Sequence, residues 1–322
     1  MNPFGKAQNV RLISKVSSLY YNYDLTQQEI ANRLRLSRPK VSRLLKQAKE
    51  LNIVQVTVKA PEGAFLELEN QLETKFNLKE AIVTEVDLPE ENHSESILKR
   101  QLGQAAADYL HRSIADNDVI GVTWGTTLQA MIDRLQPKPV KGVHVVQALG
   151  AVGPPEAKAH ATDISRRLSQ LLGSTLTLLH APAVVHSSEV REALLSDPRV
   201  KKALDQFHRI NVAYVGLGAM NTNPVLQSGS AELPEGLKKE LMNSDAIGDI
   251  GLNFFNIDGE EVVTSLKDLF FGITLDELRE VDTVVGIAGG CDKLQTIRGA
   301  LNGRLVDVLI TDQHTAEKLC SE

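Results

Sequence analysis

The sequence predicts an α/β protein in which a small N-terminal helix-turn-helix domain precedes a larger, doubly wound, Rossmann-like domain. Three observations support this fold class. The chain has 322 residues, more than one typical domain needs. Short helix patterns with capping residues fill its first 60 positions, and after residue 80 strand patterns rich in Val and Ile alternate with helix patterns. The predicted domains are residues 1–60, a linker helix over residues 61–79, and residues 80–322.

The net charge of −6 is divided unevenly along the chain. Residues 1–60 hold eleven lysines and arginines against three acidic residues, a net charge of +8, and the remainder carries −14. A basic segment joined to an acidic body is typical of a polyanion-binding module attached to a separate domain. A solvated basic face without a partner has the same composition, so charge alone leaves both interpretations open.

The composition argues against several classes of protein. The longest apolar runs fall far short of the roughly 18 residues that span a bilayer, and no apolar segment near the N-terminus predicts export. Cys291 and Cys320 are far apart and have no metal-ligand spacing, so we expect neither a disulfide framework nor a metal site. These features predict a cytoplasmic protein that does not associate with membranes.

The N-terminal domain shows three helix patterns in succession. Apolar residues at helical spacing predict a first helix over about residues 6–21. Thr26 stands at the N-cap of a second helix with Glu29 three positions later, which is the spacing of a capping box. Ser37 is predicted to cap a third helix, and Pro39 lies in the first turn of that helix, where its missing N–H needs no partner.

The exposed face of the third helix is basic, and alternation over residues 52–58 predicts a strand that closes the domain. Two short capped helices joined by a tight turn match the geometry in which a recognition helix enters the DNA major groove. Arg38 and Arg43 have the chemistry to contact guanine or phosphate, and Ser37 and Ser42 can donate to phosphate. A three-helix bundle with solvated lysines and arginines is the alternative. The predicted DNA-binding residues are Thr26, Gln27, Ser37, Arg38, Pro39, Lys40, Ser42 and Arg43.

The remainder of the chain predicts a parallel sheet covered by helices. Apolar residues between positions 65 and 76 predict a linker helix whose apolar stripe packs either on its own domain or on a second subunit. Further helices are predicted over residues 94–113 and from residue 127. Near-continuous Val and Ile runs predict strands at residues 81–84, 119–122, 143–146, 175–179, 210–215, 281–287 and 306–310.

Loops that follow strands are where ligands bind in such sheets. Gly125, Thr126 and Thr127 form a turn between a predicted strand and a helix. Glycine allows close backbone approach, and the two hydroxyls with the first helical N–H groups suit a phosphate. Gly-Thr turns also cap many helices, so a purely structural role is equally open.

A second glycine-rich turn contains Gly289 and Gly290, with Lys293 shortly after it. The backbone N–H groups and the lysine cation could bind the same anion, although a solvated lysine beside a tight turn is the alternative. Asp249 is a candidate to accept hydrogen bonds from sugar hydroxyls, with an ordinary turn residue as the alternative. The glycines that begin at Gly216 lack the third glycine of a dinucleotide fingerprint and are interpreted as a plain turn. No P-loop occurs either, which argues against a P-loop ATPase, and no cofactor is predicted.

Residues 25–31 read Leu-Thr-Gln-Gln-Glu-Ile-Ala, and residues 36–45 read Leu-Ser-Arg-Pro-Lys-Val-Ser-Arg-Leu-Leu. These runs resemble the N-terminal domain of the SorC family of bacterial sugar-responsive transcriptional regulators. The large domain resembles the effector domain of that family, which is similar in fold to glucosamine-6-phosphate deaminases and ribose-phosphate isomerases. Within the family, the chain is most similar to the deoxyribonucleoside-type regulators. The matching stretches are 121–127, 145–147, 248–250, 288–293 and 308–316.

This resemblance implies which residues bind the effector. Thr126, Thr127 and Lys293 would hold its phosphate, and Asp249 would bind a sugar hydroxyl. The loop that begins at Gly150 would add further contacts. The predicted effector-binding residues are Gly125, Thr126, Thr127, Gly150, His160, Asp249, Gly289, Gly290 and Lys293.

These features predict a regulator, by resemblance a repressor, of a carbohydrate or nucleoside catabolic operon. Its partners would be double-stranded operator DNA, a phosphorylated sugar effector and further copies of itself in a dimer or tetramer. The alternative is a phosphosugar isomerase or deaminase with a DNA-binding appendage. The resembled deaminases carry an Asp-Gly-His run after the strand predicted at 210–215, whereas residues 218–221 read Gly-Ala-Met-Asn. No proton-transfer group stands there, so we expect no enzymatic activity.

Overall fold

The computed structural model describes residues 3–55, 65–86, 94–152, 161–223, 225–226 and 233–321. The chain divides into two compact units, Met1–Ala60 and Pro61–Glu322. The first unit is helical, and the second contains every strand of the described residues.

Three helices form the N-terminal unit, as predicted. They are α1 (Pro3–Tyr21), α2 (Gln27–Leu34) and α3 (Arg38–Glu50). One apolar cluster joins them, and its members include the fully buried Ile13 of α1 and Val41 of α3. Burial of such side chains contributes about 1.5–3 kcal/mol each, so the unit has a core of its own.

The two predicted N-caps of this unit behave differently. Thr26 Oγ1 accepts from the backbone N–H of Glu29 (3.3 Å), and the Glu29 carboxylate accepts from the backbone N–H of Thr26 (2.8 Å), which completes the capping box. Ser37 stands at the N-cap position of α3 with an extended backbone, as predicted. Its side chain makes no capping hydrogen bond, so the predicted side-chain cap is wrong. Pro39 lies in the first turn of α3, where its fixed φ favours the start of a helix.

The strand predicted over residues 52–58 is wrong where the structure describes it. Residues 52–55 form turns that continue the end of α3. The backbone N–H groups of Ile53 and Val54 donate to the carbonyl of Ala48, and both side chains pack against the helical core. Apolar contact with the helices therefore accounts for the alternating pattern there. The last three residues of the predicted strand lie outside the described residues.

The second unit is built on one sheet. Its strands are β1 (Glu80–Thr84), β2 (Val119–Val122), β3 (His144–Gln147), β4 (Thr175–Thr177), β5 (Val212–Ala219), β6 (Gly248–Ile250), β7 (Asn253–Phe255), β8 (Thr283–Ile287) and β9 (Val308–Asp312). The order β1-β9-β8-β5-β2-β3-β4 is parallel throughout, and the β6-β7 hairpin pairs antiparallel with the end of β5. Every strand predicted after residue 80 is present, with ends shifted by up to four residues, whereas the hairpin was not predicted.

Helices cover both faces of the sheet, as the predicted doubly wound fold requires. They are α4 (Leu66–Phe76), α5 (Ser94–Ser113), α6 (Thr126–Ile132), α7 (Ala161–Leu172), α8 (Ser188–Ser196), α9 (Pro198–Leu204), α10 (Glu235–Met242), α11 (Leu275–Arg279), α12 (Leu294–Asn302) and α13 (Gln313–Ser321). Successive residues of β5 show the alternation. Ala213 and Val215 pack in one apolar cluster, and Tyr214 between them packs in another.

The linker helix α4 packs on its own domain. Leu72 is fully buried in the core beneath the sheet edge, with Leu68 and Phe76 beside it. Two glutamates of α4 also accept hydrogen bonds from backbone N–H groups of the edge strand β1. Glu73 Oε1 accepts from the N–H of Ala81, and Glu69 Oε1 accepts from the N–H of Val83, each at 3.0 Å. This arrangement leaves those N–H groups unavailable to another strand.

Candidate functional site

The strand order reverses between β2 and β5, and a cleft lies at the carboxyl ends of these two strands. In open parallel sheets such a reversal leaves a crevice in which ligands bind. The cavity has a volume of about 190 Å³. Five predicted effector-binding residues lie together in its walls: Gly125, Thr126, Thr127, Asp249 and Lys293.

Gly125 gives the loop after β2 a backbone conformation that side chains rarely adopt. Its φ is 128°, and a Cβ added there would meet no heavy atom within 4 Å, so the requirement for glycine is conformational. The chain then enters α6, which places Thr126 and Thr127 in the wall of the cavity. Both side chains end in hydroxyls that can donate to an anion or to a sugar.

Lys293 reaches the cleft from the short 3-10 turn Cys291–Lys293 that precedes α12. Its Nζ donates to the carbonyl of Leu217 in β5 over 2.8 Å. Burial lowers the pKa of Lys293, the charge of Lys99 lowers it further, and nearby carboxylates oppose the shift. A lysine ammonium has three donor positions, so this single carbonyl leaves donors for a ligand.

Lys99 is a second cation in the wall of the cleft. It lies one turn after Glu95 on α5, and its Nζ is 2.6 Å from Glu95 Oε1. The Glu95 side chain is 77% exposed and that of Lys99 is 28% exposed. The hydrogen bond from Lys99 lowers the pKa of Glu95. The cleft therefore holds a lysine whose partner is an exposed carboxylate that water can replace.

Asp249 is buried in the cleft wall, with 4% of its surface exposed. Its Oδ1 accepts from Asn223 Nδ2 at 2.7 Å, and its Oδ2 accepts from the backbone N–H of Leu252 at 2.9 Å. Burial raises the pKa of Asp249 to about 6, and these two hydrogen bonds oppose the rise. The alternative interpretation of Asp249 as a turn residue is wrong, because it belongs to β6.

The glycines of the second predicted turn lie against the end of β9 and the start of α13. The backbone N–H of Gly290 donates to Asp312 Oδ2 (2.8 Å) and to Thr315 Oγ1 (2.9 Å). A Cβ added to Gly289 would lie 2.3 Å from Asp312 Oδ2, so close packing on β9 requires glycine there. In this structure Asp312 and Thr315 therefore occupy the N–H of Gly290, and neither glycine lines the cavity, so their role in effector binding stays a prediction.

Gly150 is also absent from the cavity wall. Its N–H donates to the carbonyl of Phe271, and a Cβ added to it would lie 2.6 Å from the backbone nitrogen of Ala183. Its observed role in this structure is close packing between two chain segments, and its assignment to the effector site stays a prediction. The other predicted residue of this loop, His160, lies outside the described residues.

The glycine run after residue 215 is part of β5, which extends to Ala219, so its interpretation as a plain turn is wrong. Gly216 and Gly218 line the cleft from this strand. A Cβ added to Gly218 would lie 2.2 Å from Asp249 Oδ1. Glycine at this position therefore makes room for the buried carboxylate.

In the N-terminal unit, seven of the eight predicted DNA-binding residues are exposed to solvent, and Gln27 is half-buried. Arg38, Lys40 and Arg43 are exposed on α3, and Thr26 is exposed at the start of α2. Arg43 Nε donates to the carbonyl of Pro39 at 3.4 Å. Among the described residues these three cations have no acidic partner, which leaves their charge available to phosphates.

Comparison with known proteins assigns both units. A family model described as "Putative sugar-binding domain" matches residues 60–321, and the model of sigma-70 region 4 matches residues 15–50. The chain is 31% identical over 320 residues to the sorbitol operon regulator of Klebsiella pneumoniae, covering 97% of this chain and 98% of that protein. This chain belongs to the SorC family.

Two further comparisons agree along nearly the whole chain. The deoxyribonucleoside regulator of Bacillus subtilis (strain 168) is 32% identical over 313 residues, covering 97% of this chain and 98% of the relative. The crystal structure of the full-length sorbitol operon regulator SorC from Klebsiella pneumoniae superposes with a TM-score of 0.74 at 30% identity, again covering 97% and 98%. The chain is thus a transcriptional regulator with a helix-turn-helix DNA-binding domain and a sugar-binding domain.

Several residues of the cleft between β2 and β5 were missing from the effector site that the sequence predicted. Lys99 and Glu95 come from α5, and Asn223 follows β5 by a few residues. The i, i+4 spacing of the first two is also that of an ordinary surface ion pair, so spacing could not identify them. Asn223 requires the β6-β7 hairpin for its contact with Asp249, and that hairpin was not predicted.

The part of the chain that the structure describes contains neither a cluster of metal-binding side chains nor a helix suited to span a membrane. There, no group of three or more His, Cys, Asp or Glu side chains is arranged to hold a metal ion. No helix within the same described ranges is both long enough and apolar enough to cross a membrane.

Proposed function

We propose that this regulator represses a carbohydrate or nucleoside catabolic operon and that a phosphorylated sugar, bound in the cleft between β2 and β5, controls its affinity for operator DNA. The observation that carries the proposal is the pairing of two kinds of group in one cavity. Lys293, with Lys99 nearby, supplies positive charge, and Asp249 with Asn223 supplies hydrogen-bonding groups suited to hydroxyls.

The phosphate would lie against Lys293 and the two threonine hydroxyls of α6. Lys293 is half-buried and held by one carbonyl, so a dianion could replace weak contacts with charge-assisted hydrogen bonds. A bound dianion would also raise the pKa of Lys293, opposing the effect of burial, and would therefore favour the charged lysine. Thr126 and Thr127 would donate to the remaining phosphate oxygens.

The sugar would lie toward Asp249. With a pKa of about 6, this carboxylate is mostly ionised at neutral pH and accepts hydrogen bonds from hydroxyls. Asn223 and the Leu252 N–H fix its orientation before any ligand arrives. A pre-oriented acceptor discriminates between sugars that carry a hydroxyl at the matching carbon and those that lack it.

Binding without turnover is favoured over an isomerase or deaminase activity. Gly218 and Ala219 occupy the part of β5 that faces the cleft, and Met220 and Asn221 follow, without a carboxylate or imidazole. Asp249 is the buried carboxylate of the cavity, and the Asn223 amide and the Leu252 N–H hold it in an orientation suited to accept hydrogen bonds from hydroxyls. Incubation with phosphosugars tests this point: thermal stabilisation without product supports a sensor, and product formation supports an enzyme.

Operator binding titrated with sugar phosphates tests the proposal as a whole. The DNA would be selected by the protein from a random pool, and the sugars would include pentose and hexose phosphates with their unphosphorylated forms. We expect a phosphorylated sugar to lower DNA affinity in the wild type and Lys293→Ala to remove most of the response, since a hydrogen bond to a charged group contributes about 1.5–3 kcal/mol. Lys202→Ala, an exposed lysine of α9 outside the cleft, is the matched control. Equal responses in Lys293→Ala and the wild type would place the effector elsewhere.

A further inference from the structure

A second cavity lies in the large domain, separate from the effector cleft. Its volume is about 330 Å³, within the range of small-molecule sites. It opens between the α8-α9 region and the chain from β7 to α11. Buried or half-buried apolar side chains form much of its wall, including Leu204, Phe207, Phe254, Leu266 and Phe270. An apolar cavity of this size favours a ligand with a hydrophobic body.

One cation stands in this apolar wall without an acidic partner. Arg191 of α8 is half-buried, its Nε donates to the carbonyl of Phe270 at 3.2 Å, and its Cζ lies 5.8 Å from the ring centroid of Phe271. These contacts fix the plane of the guanidinium. Among the described residues, neither terminal nitrogen of Arg191 has a hydrogen-bond or ion-pair partner. The side chain is thus oriented and keeps two donor nitrogens for a ligand.

The acidic residues of the same wall already have partners. Asp276 pairs with Arg279 at 2.8 Å, Glu261 lies 3.9 Å from Lys267, and Glu277 accepts hydrogen bonds in the capping box of α11. They therefore do not neutralise Arg191. Their charges do disfavour a dianion such as a phosphate more than a monoanion, because repulsion scales with charge.

We propose that this cavity binds a small organic carboxylate with an apolar body and that the two terminal nitrogens of Arg191 hold the carboxylate. The planar guanidinium matches the two oxygens of a carboxylate, and the aromatic and aliphatic walls cover the remainder of the ligand. The site is distinct from the phosphosugar cleft, although the two cavities meet at one turn: Gly251 lines the cleft, and Leu252 lines this cavity. A bound carboxylate would pack against the residue whose N–H holds Asp249.

Isothermal titration calorimetry on the full chain tests the site with a matched pair of probes, 3-phenylpropionate and the neutral 3-phenylpropionamide. We expect saturable binding of the acid at least about tenfold tighter than that of the amide, since the two differ only in the charged group. Arg191→Gln should weaken acid binding about tenfold or more and leave amide binding unchanged. Arg209→Gln, an exposed arginine outside the cavity, should bind both probes as the wild type does.

Two additional variants keep the outcome decisive. Leu204→Trp fills the cavity and retains Arg191, so it should abolish binding of both probes even if Arg191→Gln folds poorly. Lys293→Ala should bind 3-phenylpropionate normally, which separates this site from the phosphosugar proposal. Equal affinity for acid and amide, or wild-type acid binding in Arg191→Gln, would overturn the proposal. The proposal would also be overturned if the wild type failed to bind the acid and Arg191→Gln had a changed sedimentation coefficient. That result would indicate that the cavity contacts a second copy of the chain.

Discussion

Leu252 donates its backbone N–H to Asp249 from a left-handed conformation with φ of 68°. A branched side chain at positive φ is a rare and strained arrangement, which costs on the order of 1–3 kcal/mol. The strain is offset by burial, because the Leu252 side chain is only 2% exposed and lies in an apolar cluster with Phe254. The preceding Gly251 is also left-handed, so the β6-β7 turn has the two positive φ values of a type I′ hairpin. A strained turn thus positions the carboxylate of the cleft.

The buried carboxylate predicts a specific dependence of stability on pH. The pKa of Asp249 is about 6 in the folded protein, against an ordinary value near 4, so the folded state binds the proton more tightly. The contribution of Asp249 to the free energy of unfolding therefore falls as pH rises from about 4 to about 6. The total fall is roughly 3 kcal/mol, because the pKa is raised by about two units. Asp249→Asn lacks this titration. Urea unfolding of both proteins from pH 4 to pH 8 should show the variant gaining stability relative to the wild type across this window and no further change above it. A difference independent of pH would contradict the raised pKa.

The Glu95–Lys99 ion pair predicts opposite effects of two substitutions on effector affinity. Glu95→Gln releases Lys99 to face a bound phosphate. The affinity for the sugar phosphate that raises the melting temperature of the wild type most should then rise by up to about fivefold, which corresponds to about 1 kcal/mol for an exposed ion pair. Lys99→Ala should lower that affinity. Calorimetry would measure both, with the exposed Glu192→Gln of α8 as the control. Weaker binding in Glu95→Gln would show that Glu95 itself contacts the ligand.

The parallel sheet could be predicted from the sequence because its strands are buried on both faces. Such strands read as continuous Val and Ile runs, as in β8 and β9, and each is followed by a helix. The β6-β7 hairpin has three residues in each strand, too few to show a period of two. Its turn contains Gly251 and Leu252 in place of the usual Asn-Gly, so the turn signal was also missing.

The sequence had the same limit at the candidate effector site. Thr126, Thr127 and Lys293 follow strand patterns, and the rule for the carboxyl ends of parallel strands brings them to one cleft. Gly290 also follows a strand, but the contact of its N–H with Asp312 depends on residues 22 positions apart. A local pattern cannot show whether a glycine N–H faces a ligand or a neighbouring strand, and here it faces the strand.

Glu69 of α4 should stabilise the domain more than its exposed neighbour Glu67. Glu69→Ala leaves the N–H of Val83 without its partner, and an unsatisfied buried donor costs about 1–3 kcal/mol. Glu67 accepts a hydrogen bond from Gln71 on the surface of the same helix, so Glu67→Ala should change stability by less than about 0.5 kcal/mol. Urea unfolding of the full chain measures both. Equal stability of the two variants would show that water replaces the Glu69 contact at the sheet edge.

The protein should assemble at least as a dimer. A single recognition helix covers half of a two-fold symmetric operator, and the second half requires a second copy. Sedimentation velocity on the full chain, alone and with operator DNA, measures the stoichiometry. A complex with one protein chain per operator would contradict this prediction.

Arg38 and Arg43 of α3 should be required for operator binding and dispensable for effector binding. Both are exposed, and neither has an acidic partner among the described residues of its unit, so replacement by alanine leaves the helical core intact. A lost contact to a base costs about 1–3 kcal/mol and relaxes preference at that base pair, whereas a lost phosphate contact weakens all sequences alike and lowers the salt dependence. Fluorescence anisotropy with the selected operator and with single-base variants, at several salt concentrations, distinguishes these two roles. Lys202→Ala serves as a charge-matched control outside the N-terminal unit. Unchanged DNA affinity in both Arg38→Ala and Arg43→Ala would remove α3 as the recognition helix, because these side chains supply the bidentate groups on its exposed face.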